Sequence, residues 1–128
     1  MVSGALAGAR ILVVEDEFFL ADDARSALLK AGAEIVGPAP TVEAATALVE
    51  AEDGINGVLL DVNLRGQMAY DVADVLQARG IPFAFVTGYD SGVLPERFSH
   101  APVLKKPTDV DDLIGVLEML TVGAQAPR

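Results

Sequence analysis

The sequence predicts a single α/β domain in which a parallel sheet is covered by helices on both faces. Short apolar runs alternate with longer segments of helical periodicity along the whole chain. The runs carry apolar residues on both faces, which is typical of the buried strands of a parallel sheet. At 128 residues, with 52% hydrophobic residues, the chain has the size and the core of one domain. Successive strand–helix units therefore predict a doubly wound sandwich with right-handed crossovers.

Five apolar runs are the predicted strands. The first is Arg10–Val14, and the second, residues 34–37, is the weakest of the five. The remaining three are Gly57–Asp61, Phe83–Thr87 and Val103–Lys105.

Four segments have the spacing of amphipathic helices. The first is Phe18–Lys30 with Gly32 as its stop, and Thr41 is positioned to cap the second. The third is Tyr70–Arg79, which Gly80 ends. The last is predicted to open at Thr108, with Asp111 at the spacing of a capping box. Its apolar face consists of Val110, Leu113, Ile114, Leu117 and Leu120.

The segment between the fourth and fifth strands, residues 89–101, lacks the regular apolar spacing of a long amphipathic helix. It contains Gly92 and Pro95 and has room for only a short helix around residues 96–99, so the fourth helix is predicted to be shortened. His100 is interpreted as a loop residue. The predicted domain covers residues 9–121, with short tails at 1–8 and 122–128.

Composition excludes several classes of function. The net charge of −10 argues against a nucleic acid or an anionic membrane as the partner, since both attract cations. Cysteine is absent and His100 is the single histidine, which excludes disulfides, thiolate chemistry and a multi-histidine metal site. No stretch is long enough to span a bilayer and none resembles a signal peptide, so a cytoplasmic protein is expected.

Polar residues follow the predicted strands at the ends where parallel sheets bind ligands. Glu15 and Asp16 follow the first strand, and Asp61 ends the third. Thr87 ends the fourth strand, and Lys106 follows the fifth. We expect these groups to converge on one edge of the sheet. Lys105 is interpreted as a solvated lysine, and Glu17 as a charge that favours the start of the first helix.

This set of side chains indicates a site that accepts a phosphoryl group. Three adjacent carboxylates repel one another, and a divalent cation would remove that repulsion. Oxygen ligands without histidine or cysteine indicate Mg²⁺, with Mn²⁺ as a substitute. A hydroxyl and an ammonium beside Asp61 could hold the oxygens of an incoming phosphoryl group.

The pattern resembles the receiver domain of two-component response regulators over residues 9–121. The acidic pair of that family matches Glu15 and Asp16, and its phospho-accepting aspartate matches Asp61. Its switch threonine matches Thr87, and its Lys-Pro pair matches Lys106 and Pro107.

The resemblance implies a flavodoxin-like receiver fold with strand order 2-1-3-4-5. It also implies that the backbone carbonyl of Asn63 ligates Mg²⁺ and that the bond before Pro107 is cis. The expected function is that of a stand-alone response regulator, a signalling phosphoprotein rather than an enzyme. A sensor histidine kinase would phosphorylate Asp61. The output would be phosphorylation-dependent binding of a downstream protein or onward phosphotransfer.

Three features depart from the commonest receivers, and one of them is the shortened fourth helix. Val103 stands where the family usually has an aromatic residue that moves with the switch threonine. The sequence from Phe83 to Tyr89 is similar to the motif of the FAT GUY subgroup, although Val86 stands where that motif has alanine. The subgroup is tied to stress signalling and to histidine kinases of the HWE or HisKA2 type. We hypothesise that Tyr89 takes part of the missing aromatic's role by reporting the state of the Thr87 loop.

Three other functions are alternatives for the same residues. A flavodoxin-type binder would need an uncharged phosphate loop after the first strand, where Glu15 and Asp16 stand. An aspartyl phosphatase would have a second aspartate in place of Asn63, which cannot exchange a proton. A pseudo-receiver that is never phosphorylated stays open as an interaction module, although Asp61, Thr87 and Lys106 argue against it.

Overall fold

The computed structural model describes residues 4–88 and 94–125. In chain order the elements begin with β1 (Arg10–Val14), α1 (Phe18–Lys30), β2 (Glu34–Ala39), α2 (Val42–Ala51) and β3 (Gly57–Asp61). They continue with β4 (Asn63–Leu64), β5 (Gln67–Met68), α3 (Tyr70–Arg79) and β6 (Phe83–Thr87). A 3₁₀ turn (Glu96–Phe98), β7 (Val103–Lys105) and α4 (Val110–Gln125) complete the series. Within the described ranges, no helix has the length and apolarity that a membrane span requires.

The main sheet has five parallel strands in the order β2-β1-β3-β6-β7. Counted without the small hairpin β4–β5, this is the order 2-1-3-4-5, and the predicted fold class is confirmed. The first strand lies between the second and the third, so the chain reverses direction across the sheet next to β1. The carboxyl ends of β1 and β3 are therefore neighbours at the point where such sheets bind ligands.

Alternating side chains of the central strands enter two separate cores. One core lies against α2 and α3, and the other lies against α1 and α4. The first core takes Leu12, Val14, Val58, Leu60, Phe83 and Phe85, whereas the second takes Ile11, Val13, Leu59 and Val86. Because both faces are buried, the strands read as continuous apolar runs in the sequence.

Most helix boundaries agree with the sequence prediction. The Thr41 hydroxyl oxygen accepts a hydrogen bond from the backbone N–H of Ala44 at 3.0 Å, so Thr41 caps α2. Gly80 ends α3 in the left-handed conformation, with φ of 70°. The predicted start of the last helix at Thr108 is wrong, because α4 begins at Val110. Asp109, the residue directly before it, accepts from the N–H of Asp112 at 3.4 Å.

The two segments assigned to tails are partly structured. Leu6 is only 1% exposed, and its backbone N–H donates to the carbonyl of Ala31 at 2.9 Å. An apolar side chain in the segment 1–8 thus covers the core between α1 and α4. At the other end, α4 continues to Gln125, and its Thr121 is buried where the helix closely approaches Gly57 of β3.

The edge strand β2 is two residues longer than predicted. It runs to Ala39, and its register with β1 shifts between Leu12 and Val14. Pro38 lies inside it, which an edge strand tolerates because one side of its ladder is free.

Two local features lie between the predicted elements. The antiparallel hairpin β4–β5, which the sequence did not predict, follows directly on β3. The shortened fourth helix is a 3₁₀ turn over residues 96–98. Its Phe98 is 1% exposed and lies 5.6 Å from Phe85 and 6.1 Å from Phe83, measured between ring centroids. One aromatic side chain thus anchors the turn to the sheet.

Candidate phosphoryl-acceptor site

The predicted site residues meet at the carboxyl edge of the sheet. Asp61 ends β3 beside Val86, and Thr87 ends β6 beside Lys105. The backbone N–H of Lys106 donates to the carbonyl of Thr87 at 2.8 Å, which ties the segment after β7 to β6. Glu15 follows β1, the strand on the other side of β3. Parallel strand direction is what brings these distant positions together.

Three carboxylates form the centre of this site. Glu15, Asp16 and Asp61 each place a carboxylate oxygen within 4.8 Å of the others. Asp61 is 4% exposed and Glu15 is 9% exposed, whereas Asp16 is half-buried on the rim. Asp61 is thus the most enclosed of the three.

Lys106 supplies the positive charge inside this cluster. Its Nζ lies 2.7 Å from Oδ2 of Asp61 and 3.3 Å from Oε1 of Glu15. Burial lowers the pKa of Lys106, but the hydrogen bond to Asp61 and attraction to both carboxylates outweigh burial and raise that pKa. The ammonium therefore stays charged next to Oδ2 of Asp61. Glu17 lies 4.0 Å from Nζ on the exposed rim.

Glu15 has the most perturbed carboxyl group among the described residues. Burial, followed by the hydrogen bond with Asp61 and its negative charge, raises the pKa of Glu15 to about 8. Lys106 opposes this shift without cancelling it. The site thus holds more negative charge than one lysine can neutralise, which is the condition that a bound cation relieves.

Backbone N–H groups hold the two aspartates. Oδ1 of Asp61 accepts from the N–H of Asn63 at 3.1 Å. Oδ2 of Asp16 accepts from the N–H of Arg65 at 3.0 Å. Arg65 lies in the turn between β4 and β5. Each aspartate retains lone pairs for a further partner, because a carboxylate can accept about four hydrogen bonds.

The donor set fits Mg²⁺, the cation that the receiver resemblance implies. Carboxylate oxygens from Glu15, Asp16 and Asp61 are hard ligands, they lie close enough to share one ion, and histidine and cysteine are absent from the group. The excess negative charge around Glu15 agrees with that choice.

The other predicted positions are placed as follows. Thr87 is 5% exposed at the end of β6, and the Lys106–Pro107 peptide bond is cis, the form that the resemblance implies. Val103 is 45% exposed on β7, and Lys105 is exposed beside it. Tyr89 lies outside the described residues. His100 lies in the turn after the 3₁₀ segment, as expected of a loop residue.

The sequence does not predict that the hairpin β4–β5 contributes a hydrogen bond to this site. Arg65 enters the site through its backbone N–H, so its side-chain type gave no signal. The available sequence signal was Asn63 followed three residues later by Gly66, which is typical of a tight turn.

Solved structures resemble this chain over most of its length, whereas no protein-family model and no curated protein matches it. SdrG from Sphingomonas melonis Fr1 is 40% identical, with a TM-score of 0.75 over 88% of this chain and 97% of that one. The BeF3-activated conformation of SdrG, attributed to Pseudomonas melonis Fr1, is 39% identical, with a TM-score of 0.74 over 95% of this chain and 100% of that one. The response regulator PhyR from Brucella abortus is 26% identical, with a TM-score of 0.75 over 94% of this chain and 54% of that one.

Fold, site and these relatives together define the class. The chain belongs to the receiver domains of two-component response regulators. Within them it resembles the FAT GUY subgroup, and the family predicted from the sequence is confirmed.

Proposed function

We propose that the protein accepts a phosphoryl group on Asp61 from a sensor histidine kinase and signals through the phosphorylated form. The observation that carries this proposal is the enclosure of Asp61 between Lys106 and the two carboxylates that follow β1. An enclosed nucleophile beside a fixed cation is what phosphoryl transfer requires, since catalysis consists mainly of positioning and charge stabilisation.

In the transfer, an oxygen of Asp61 forms a bond to phosphorus while the bond from phosphorus to the donor nitrogen breaks. The leaving imidazole nitrogen takes up a proton, and the product is an aspartyl phosphate. Lys106, already 2.7 Å from Asp61, pairs with the phosphoryl oxygens, and the N–H of Asn63 holds the other carboxylate oxygen in place. Mg²⁺ held by Glu15, Asp16 and Asp61, with the backbone carbonyl of Asn63, would supply neutralisation of the phosphoryl charge.

Thr87 is the proposed reporter of phosphorylation. It is buried at the end of β6, and its carbonyl accepts from the N–H of Lys106. A hydroxyl at this position can donate to a phosphoryl oxygen, and a shift of Thr87 would move the backbone on both β6 and β7. Val103 on β7 is exposed and aliphatic. A partner would therefore recognise the shifted strands without an aromatic ring at that position.

The partner is a donor protein carrying phosphohistidine, for which a kinase of the HWE or HisKA2 type is the candidate. Phe18 and Phe19 begin α1, shortly after Glu15 in the chain, and are 75% and 80% exposed. Large exposed aromatic side chains beside a reaction centre are typical of a protein-binding surface. A donor that reaches Asp61 would cover them.

The decisive experiment uses a small acyl phosphate with Mg²⁺ and follows the intact mass of the protein. We expect one hydroxylamine-sensitive phosphoryl adduct in the wild type and in Asp71→Ala, whose aspartate lies on α3. Asp61→Ala should form none. No adduct on the wild type would favour a pseudo-receiver, and an adduct retained in Asp61→Ala would refute the assignment of the acceptor. Steady release of phosphate from many esters would indicate a phosphatase instead.

A further inference from the structure

The turn of the hairpin β4–β5 lies between two of the three carboxylates. We propose that this turn, held by the side chain of Asn63, positions Asp16 relative to Asp61 and thereby sets the affinity of the site for its divalent cation. The inference rests on the proposed function, since it concerns the cation that phosphoryl transfer would use. It assigns a positioning role to the side chain of Asn63 and to Gly66, and this role is separate from that of the Asn63 backbone carbonyl, which is proposed as a cation ligand.

Three hydrogen bonds and the backbone between Arg65 and Gly66 connect the two aspartates. Asn63 donates its backbone N–H to Oδ1 of Asp61 at 3.1 Å, and its side-chain Oδ1 accepts from the N–H of Gly66 at 2.7 Å. The neighbouring N–H of Arg65 then donates to Oδ2 of Asp16 at 3.0 Å. Asp16 and Arg65 are separated by 49 residues in the sequence, so this contact depends on the folded turn.

The turn depends on an unusual backbone conformation. Arg65 and Gly66 have φ of 54° and 85°, and Arg65 is the one non-glycine residue in the described ranges with a positive φ. Two successive positive φ values are the feature of the tight hairpin turns that favour asparagine and glycine. A positive φ is strained for arginine, because its Cβ clashes with the backbone in this conformation. The hydrogen bonds of Asn63 and Asp16 therefore have to hold it.

The negative charges around Asp16 explain why its position needs this hydrogen bond. Asp16 is half-buried in the connection between β1 and α1, next to the negative charges of Glu15 and Asp61. Repulsion would turn its carboxylate towards solvent when the cation is absent. The N–H of Arg65 opposes that rotation and keeps Asp16 near the other two ligands. Groups that orient metal ligands in this way typically change metal affinity by about 10- to 100-fold when they are removed.

Gly66→Ala tests the backbone conformation with a matched control. A Cβ at Gly66 would meet nothing within 4 Å, so the substitution strains φ without a clash. Gly80→Ala is the control, because Gly80 also has a positive φ and open space but ends α3. We expect the dissociation constant for Mg²⁺ alone, followed by amide NMR, to rise roughly tenfold in Gly66→Ala. It should stay within about twofold of wild type in Gly80→Ala.

Asn63→Ala tests the side chain without backbone strain. Its control is Asn56→Ala, since Oδ1 of Asn56 also accepts from a backbone N–H, that of Arg10 at 2.6 Å, at the start of β1. In cation-free buffer, the N–H of Arg65 should exchange at least fivefold faster in Asn63→Ala and keep the wild-type rate in Asn56→Ala. The Mg²⁺ affinity should fall only in Asn63→Ala.

Equal Mg²⁺ affinities in Gly66→Ala and Gly80→Ala, or an unchanged exchange rate of the Arg65 N–H in Asn63→Ala, would overturn this inference. If Gly66→Ala does not fold, Asn63→Ala decides alone. A wild type that binds no Mg²⁺ would instead refute the proposed function, and the exchange measurement would still report on the turn.

Discussion

Nζ of Lys106 lies 2.7 Å from Oδ2 of Asp61, and the two residues come from opposite sides of the strand β6 that separates β3 from β7. The lysine reaches across the end of β6 to Asp61. This contact fixes the orientation of the Asp61 carboxylate in the folded protein.

Lys106→Met should lower the rate of phosphorylation by a small acyl phosphate by at least about 100-fold, the typical cost of losing one stabilising donor. It should also lower the free energy of unfolding by about 1–2 kcal/mol, less than for a fully buried ion pair because Lys106 is partly exposed. Intact-mass kinetics and urea denaturation measure the two effects. Lys105→Met is the control, and a wild-type rate in Lys106→Met would contradict the assignment.

The stability of the cation-free protein should fall as pH rises from about 4.5 to about 8 through the contribution of Glu15. Its folded pKa of about 8 lies above the ordinary value of 4.5, so the folded state binds the proton more tightly than the unfolded state does. The contribution is fully present below pH 4.5 and is lost as pH rises through the folded pKa. Its slope cannot exceed about 1.4 kcal/mol per pH unit.

Urea denaturation of wild type and Glu15→Gln across this range isolates the effect, with the exposed Glu50→Gln on α2 as control. The difference in the free energy of unfolding between wild type and Glu15→Gln should fall as pH rises. Parallel stability curves for wild type and Glu15→Gln would contradict the prediction. Added Mg²⁺ should stabilise the wild type more at pH 8 than at pH 5.5, because cation and proton compete for the same carboxylates.

Much of the fold could be predicted from the sequence because its signals are local. Residue type and the spacing of apolar residues predict the strand ends, the Thr41 cap and the Gly80 stop. The parallel strands then bring Asp61 and Lys106 together. The hairpin could not be predicted in the same way. Its contact with Asp16 uses a backbone N–H and an arginine with positive φ, and neither depends on an amphipathic pattern.

Tertiary contacts explain the other differences. Leu6 is buried because the core between α1 and α4 extends beyond the first strand, and Thr121 of α4 is buried where the helix approaches Gly57 of β3. The residue pattern of one segment gives no information about the distant residues that the segment packs against in the fold.

Phe98→Ala should lower the free energy of unfolding by about 3–5 kcal/mol, because it removes a buried ring from the contacts with Phe83 and Phe85. Phe19→Ala, at an 80% exposed position, should change it by less than about 0.5 kcal/mol. Thermal or urea denaturation measures both. Similar values for the two variants would mean that the 3₁₀ turn is not anchored as described.

Replacement of both Phe18 and Phe19 by serine should slow phosphotransfer from a phosphohistidine donor protein by about tenfold, equivalent to about 1.4 kcal/mol of lost contact. The rate with a small acyl phosphate should stay unchanged. The matched control replaces Met119 and Val122, which are exposed on the far half of α4, by serine. Equal slowing with both donors would place the effect in the site rather than in docking.

The two edge strands limit how this protein can associate. On one side, Pro38 and the register shift interrupt β2, and on the other, β7 has only three residues, of which Val103 and Lys105 are exposed. Short or interrupted edges are poor templates for the strand of another chain. A partner should therefore recognise the shape and chemistry of side chains rather than extend the sheet, and the protein should resist aggregation by strand addition at high concentration.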